Sequence, residues 1–398
     1  MALVKYRKRF GLAVQSVALN VSAPLFGIFL SWMVINLQHA SLWGEFVKVQ
    51  VWVMIVVHVF AYGNREYLLR SFSKFPAQIE KNWSRSFFSR SVLLTVTCLV
   101  FGLLPVDLRL KGWIMAWCII RFVYQSFDVL VLYRRSFYLT IVAEVLGLLL
   151  LFVALYKPIL GDAMSHLLKV YVIADLLKAV FMMLVFHQDF NFSFFKKINF
   201  GYFRGAFMFF LLGITGLIAT RVDQLGVNHF MPSASIAQYQ VLTAFFIFGQ
   251  ALSDFIMAPF LKNVYRMDQG ALRKVRDRLF MGGVLLVIPF LLAVRLVLKG
   301  YYHFDLPWSF YLLGIAYILP SYYYALNIYL LFRNGREKTV VMMNLAGIVI
   351  NFVMITLLVP QWGIAGALAS AGVTRLFNIA FLTAVSKRFT AVTQRRRD

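Results

Sequence analysis

The sequence predicts an all-α integral membrane protein of about twelve transmembrane helices, arranged as two six-helix lobes around a central cavity. Three observations predict it. Hydrophobic residues make up 61% of the 398 and charged residues only 14%, a balance well outside that of soluble domains. Runs of about 20 apolar residues recur along the chain with short breaks, which leaves no room for a large soluble domain. The basic residues are also sided: about 29 of the 40 Lys and Arg lie at the two ends and in alternate connections, against Arg109, Lys111, Lys157 and Lys299 in the others. By the positive-inside rule both termini and the basic loops face the cytoplasm, which requires an even number of spans. This siting also accounts for the net charge of +24. In a soluble protein that charge would suggest nucleic acid; here no nucleic-acid partner is expected, and membrane lipid is the surrounding partner. Contact of the basic loops with anionic lipid is an open second reading.

The spans fall at 10–35, 44–63, 87–105, 112–133, 137–158, 165–187, 203–226, 236–260, 279–299, 307–332, 339–359 and 361–385. Their length and continuity argue for helices, since barrel strands would be about ten residues of alternating polarity. The first follows Lys5, Arg7, Lys8 and Arg9, holds Gln15 and Asn20, and runs past any small-residue cleavage site, so it reads as a retained span. The fourth carries Arg121, Gln125 and Asp128 at steps of four and three, one stripe near mid-membrane. The fifth holds Glu144, and the sixth places Asp175 three residues before Lys178. The seventh is uncharged from Ala206 to Ala219 and then meets Arg221 and Asp223. On the eighth, Gln240, Thr243, Gln250 and Asp254 share a face. In the tenth, Pro320 beside Tyr322, Tyr323, Tyr324 and Asn327 suggests a kink with a polar, aromatic face. The eleventh spaces Asn344 and Asn351 seven apart; the twelfth combines "GIAGALASAG", a small-residue stripe for close helix packing, with Arg375 and Asn378. Cys98 and Cys118 lie inside spans and carry no disulfide or metal signal.

A charge at the bilayer centre costs about 2.5–3.5 kcal/mol, so these charges are expected to face protein or a hydrated cavity. Lys48, Lys169 and Arg295 lie near the outer interface, where a long side chain snorkels. Asp175 and Lys178 can form a local structural pair. Arg121 and Asp128 cannot, being about 10 Å apart along one helix. Arg221 and Asp223 are turned about 200° from each other, so at least one needs a partner on another helix or in a cavity. Glu144 and Asp128 have no opposite charge three or four residues away. Each is therefore either a site for H+ or Na+ coupling or a permanent partner of Arg121 or Lys178.

Internal similarity is weak but ordered. "VINLQHASLWGEF" (34–46) parallels "GVNHFMPSASIAQY" (226–239), and "AEVLG" (143–147) precedes "MNLAG" (343–347) by 200 residues. The reading is an amino-terminal lobe, 1–199, followed by a carboxy-terminal lobe, 200–398, related by an axis along the membrane normal.

The stretch "TRVDQLGVNHFMPSASIAQYQV" (220–241) resembles the start of the second half of O-antigen-type polysaccharide flippases, a branch of the multidrug, oligosaccharidyl-lipid and polysaccharide exporter superfamily. "WGIAGALASAGVTRLFN" (362–378) resembles that superfamily's terminal Gly-rich span, and "LWGEF" (42–46) the entry to its second. Twelve spans suit this branch better than the related lipid II flippases, which have two more. The resemblance implies alternating access and a cargo of undecaprenyl-pyrophosphate-linked oligosaccharide, in a bacterial inner membrane with a polysaccharide polymerase as a partner. No cofactor beyond H+ or Na+ coupling is implied. Arg suits phosphate, so Arg121 and Arg375 are the first candidates for the diphosphate, with Lys178 and Arg221 behind them. The coupling or gating candidates are Asp128, Glu144, Asp175, Asp223 and Asp254. A cation-coupled multidrug exporter of the same fold would use the acids as its ion site, but the intramembrane Arg and Lys suit organic cations poorly. A membrane polymerase or ligase would present catalytic residues on a long outer loop; the outer loops are short, and no HExxH, GxSxG or P-loop pattern occurs. An enzyme is therefore not expected.

Overall fold

The computed structural model describes residues 21, 24–102, 108–156, 162–189, 198–257, 269–333 and 335–394. Its helices are α1 (Pro24–Leu37), α2 (Ala40–Ala61), α3 (Asn64–Lys74), α4 (Ile79–Gly102), α5 (Leu108–Ser126), α6 (Asp128–Arg134), α7 (Phe137–Leu155) and α8 (Ala163–Val185). They continue with α9 (Phe200–Ala219), α10 (Val222–Phe230), α11 (Ser233–Met257), α12 (Gln269–Tyr301), α13 (Trp308–Arg333), α14 (Glu337–Trp362) and α15 (Ile364–Gln394). Each predicted span coincides with a helix or helix pair, except that half of the first lies outside the described residues. Seven helical stretches among the described residues are long and apolar enough to cross a membrane. Contacts gather into two units, Met1–Ile214 and Thr215–Asp398.

Two predicted spans are broken rather than continuous. The fourth is interrupted at Phe127, after which Asp128 opens α6, although Phe127 keeps right-handed backbone angles and Arg109–Arg134 is a single stretch long enough to cross a membrane. The seventh interrupts at Thr220 and Arg221, and α10 carries Asp223 onward. Neither break contains Gly or Pro, the residues that would have announced it.

In the first unit α2 packs on α5, α8 and α4, and α8 packs on α5 and α7. Lipid supplies no hydrophobic drive between helices, so close packing and polar contacts must hold them. Phe46 sits 4.3 Å from Tyr171 and 5.4 Å from Trp117, ring centre to ring centre. Where α3, α4, α6 and α8 meet, Phe72, Trp83, Phe127 and Met182 form a fully buried cluster. Trp83 Nε1 donates there to the Ser126 carbonyl at 2.9 Å, occupying one of α5's terminal acceptors. At the start of α8, Asp162 accepts from the Ser165 amide and hydroxyl, which holds its carboxyl below the usual range.

In the second unit α15 packs on both α13 and α14, α10 on α14, and α11 on α13. The small-residue stripe makes the predicted close contact. Ala367, Ser370 and Ala371 are completely buried, and Ser370 Oγ donates to Asn351 Oδ1 at 2.5 Å. Pro320 lies inside α13, and one turn before it the Tyr317 carbonyl accepts from Gln250 Nε2 at 2.6 Å.

The end of α2 turns through two left-handed residues, Tyr62 (φ 42°) and Gly63 (φ 64°). A Cβ at Gly63 would lie 2.7 Å from the Phe210 amide nitrogen and 2.9 Å from the Ala206 carbonyl oxygen. Both are backbone atoms of α9 and cannot rotate away. Strain and overlap together predict that Gly63→Ala costs about 1–3 kcal/mol or more. Thermal unfolding of the purified protein in detergent should show a lowered midpoint and a reduced folded yield; an unchanged midpoint would show that α9 yields at this contact.

Candidate functional site

The first unit holds an ionic chain built from α5, α7 and α8. Asp175, 1% exposed, accepts from Trp117 Nε1 at 2.7 Å and Arg121 Nη1 at 2.9 Å on α5, and pairs with Lys178 Nζ at 3.1 Å on its own helix. Lys178 Nζ also donates to Glu144 Oε2 on α7 at 2.8 Å, and Glu144 Oε1 accepts from Tyr124 Oη at 2.9 Å. Two acids and two bases thus neutralise one another across three helices. The stem of Lys178 lies over Gly147, where a Cβ would overlap its Cε. The local pair Asp175–Lys178 therefore exists, but as one link of a larger chain, and Arg121 pairs with Asp175 rather than with Asp128. Among the described residues Asp128 makes no ion pair or hydrogen bond, although Arg65, Glu144 and Arg121 lie within its electrostatic reach. It is the uncommitted acid of this region.

The second unit assembles a different site from α10, α11, α13 and α15. Asp223 and Tyr239 are buried, and Tyr239 Oη donates to Asp223 Oδ2 at 2.6 Å. Asp223 therefore finds its partner on the next helix, while Arg221, half-buried, is the residue before α10. Arg375, 8% exposed, places its guanidinium 3.4 Å from the centre of the Tyr317 ring and donates from Nη1 to the Ala371 carbonyl at 3.2 Å. Among the described residues no carboxylate lies within 4 Å of it; Asp223 acts on it from further away. A guanidinium has five N–H donors, and the ring face and the one carbonyl engage only part of that capacity, which an anion could take up. The Asp254 side chain lies outside the described residues.

At the two glycines that the 200-residue offset pairs, Gly147 faces Lys178 on α8, and Gly347 faces Thr374 and Asn378 on α15.

One buried cation escapes sequence reasoning. Arg90, near the start of the third predicted span and given no role there, lies in α4 at 1% exposure, 5.1 Å over the Phe122 ring, with Nη2 donating to Ser126 Oγ at 3.3 Å. The signal was available in the spacing Trp83, Phe87, Arg90, Leu94, which sets Arg90 on an apolar helical face. Its position near the carbonyl end of α5 gives the charge a favourable setting. Among the described residues no three His, Cys, Asp or Glu side chains gather as a metal site.

No family model and no curated sequence matches the chain. Solved structures do. A lipid II flippase, MurJ, in an inward closed conformation is 13% identical with a TM-score of 0.70, over 94% of this chain and 87% of that one. An inward-facing multidrug resistance MATE family transporter of the MOP superfamily is 10% identical with a TM-score of 0.61, over 95% and 99%. The Vibrio cholerae MATE transporter VcmN is 13% identical with a TM-score of 0.61, over 96% of each chain. The likeness reaches a lipid flippase and drug exporters alike and does not single out the O-antigen branch. The chain has the fold that these transporters share.

Proposed function

We propose that this chain is a flippase for an anionic lipid-linked oligosaccharide, carried on undecaprenyl pyrophosphate and moved from the cytoplasmic to the outer leaflet of a bacterial inner membrane by alternating access. The observation that carries the reading is Arg375, a buried guanidinium covered on one face by Tyr317 and without a carboxylate among the described residues in ion-pair contact. A diphosphate supplies the missing counter-charge through paired, charge-assisted hydrogen bonds. The exporter reading loses two of its candidate ion sites: Asp175 and Glu144 are occupied by Arg121 and Lys178, which leaves Asp128 as the free acid of the first unit.

Arg375 and Asp175 should therefore fail differently. Arg375→Ala leaves no buried acid unpaired and is expected to lower transport at least tenfold, about 1.4 kcal/mol in the transport barrier, with a nearly unchanged unfolding midpoint. Asp175→Ala leaves Arg121 and Lys178 short of a partner and is expected to cost about 3–5 kcal/mol of stability. Flipping of a fluorescent lipid-linked oligosaccharide in vesicles, beside thermal unfolding, measures both. Parallel losses in the two variants would make Arg375 a packing residue.

Any coupling to an ion runs through Asp128 in this reading, because Glu144 is bonded on both oxygens. Asp128→Asn is expected to abolish the response of transport to an imposed proton or Na+ gradient, whereas Glu144→Gln lowers stability and keeps that response. A gradient response that survives Asp128→Asn removes the acid from the mechanism.

Both termini are proposed to be cytoplasmic. A single cysteine at position 41, Ser41→Cys in a Cys98→Ala/Cys118→Ala background, should react with an impermeant maleimide added outside intact cells. Reaction only after the cytoplasmic face is opened would invert the topology.

A further inference from the structure

Beside the Arg375 guanidinium, the Tyr317 ring ends in a hydroxyl that the fold does not use. Tyr317 is fully buried; its ring lies 5.4 Å from that of Phe246, centre to centre, and its carbonyl is held by Gln250. Its Oη is shut away from solvent, yet no donor or acceptor among the described residues meets it in bonding geometry. The polar groups nearby are committed elsewhere. Tyr239 Oη is given to Asp223 Oδ2 at 2.6 Å, and Asp223 Oδ1 accepts from the Gln224 amide at 2.9 Å. Asp223 acts on Tyr317 through its charge but takes no proton from it. A buried hydroxyl with its hydrogen bond unmade costs free energy, and for packing alone Phe would serve at no such cost.

The charges around this hydroxyl decide what it can meet. Arg375, over the ring, and Arg221, just before α10, both act on Tyr317, against the one carboxylate of Asp223. Two cations and one acid leave a positive balance, so the hydroxyl is set to donate to an anion rather than accept from a cation. Helix rise puts Tyr317 about 14 Å from the start of α13 and Arg375 about 17 Å from the start of α15, each near the middle of a core about 30 Å thick. A phenol O–H next to a guanidinium suits two oxygens of one tetrahedral phosphate. We propose that Tyr317 is a binding residue for the phosphate of the cargo: its ring seats the Arg375 guanidinium, and its hydroxyl donates to an oxygen of the phosphate that Arg375 holds. This rests on the transport reading for its cargo, but the contact it asserts can be measured without transport.

The test uses the full chain purified in detergent and two probes that differ only at the headgroup, undecaprenyl pyrophosphate and uncharged undecaprenol. Native mass spectrometry reads the binding of each, beside the thermal unfolding midpoint. Tyr317→Phe keeps the ring and removes the hydroxyl. The expected result is pyrophosphate binding weakened at least fivefold, undecaprenol binding unchanged, and a midpoint equal to or above that of the unsubstituted protein, because no bond within the fold is lost. Arg375→Ala should weaken binding of the same probe at least tenfold. Unweakened pyrophosphate binding in Tyr317→Phe would overturn the proposal, as would an unsubstituted protein that binds both probes alike. Equal weakening of both probes, or a loss that comes with a lowered midpoint, would also overturn it and make the tyrosine a packing residue. Pyrophosphate binding that needs the Tyr317 hydroxyl, in a protein that flips no lipid-linked sugar, would keep the contact and remove the transport reading. Flipping that Arg375→Ala impairs and Tyr317→Phe leaves intact, with unweakened binding in the latter, would do the reverse.

Discussion

A carboxylate buried among helices loses its water, and the penalty, several kcal/mol after relaxation, has to be recovered within the bundle. Asp175 recovers it through three donors at once: Trp117 and Arg121 from α5, and Lys178 from its own helix. Lys178 then passes the connection to Glu144 on α7, which Tyr124 closes back to α5. The packing of α5, α7 and α8 is thus tied to a closed electrostatic circuit, and the identity of nearly every polar residue there follows from it. Remove the acid and two cations lose their reason to be buried. Keep it, and lipid-facing sides of the same helices are free to be wholly apolar, as Leu149, Val153 and Leu176 are.

The second unit solves the same problem without closing the circuit. Its buried cation is Arg375, and no acid among the described residues is brought into contact with it. Tyr317 lends the face of its ring, Ala371 a carbonyl, and Asp223 is held by Tyr239 instead. In the first unit Asp175, Glu144, Arg121 and Lys178 close on one another, whereas in the second Arg375 has no carboxylate among the described residues within ion-pair distance.

Much of this was legible in the residues. Apolar runs and sided charges located the helices, and steps of three and four picked out Arg121, Asp175, Lys178 and Arg375 as inward-facing. The small-residue stripe at 363–372 announced its close contact. Partners were not legible, because a stripe on one helix does not say which helix it faces; only the folded bundle shows Arg121 meeting Asp175 rather than Asp128. The breaks at Phe127 and Arg221 were hidden because neither carries Gly or Pro. Arg90 was missed because it stands at the basic end of its span, although Phe87, Leu93 and Leu94, three and four residues away, put it on an apolar face.

The crossing of Lys178 over Gly147 binds two ends of the chain's history together. The lysine stem occupies the space a side chain at 147 would need, while its ammonium is fixed by two acids. Drift at either position alone meets resistance: a larger residue at 147 displaces the cation, and a shorter one at 178 strands the acids and opens a gap. The pair is therefore expected to change together or not at all, with bulk at one position exchanged for length at the other. At Gly347, which faces the shorter, uncharged Thr374 and Asn378, no ammonium is held in place and a substitution meets less resistance.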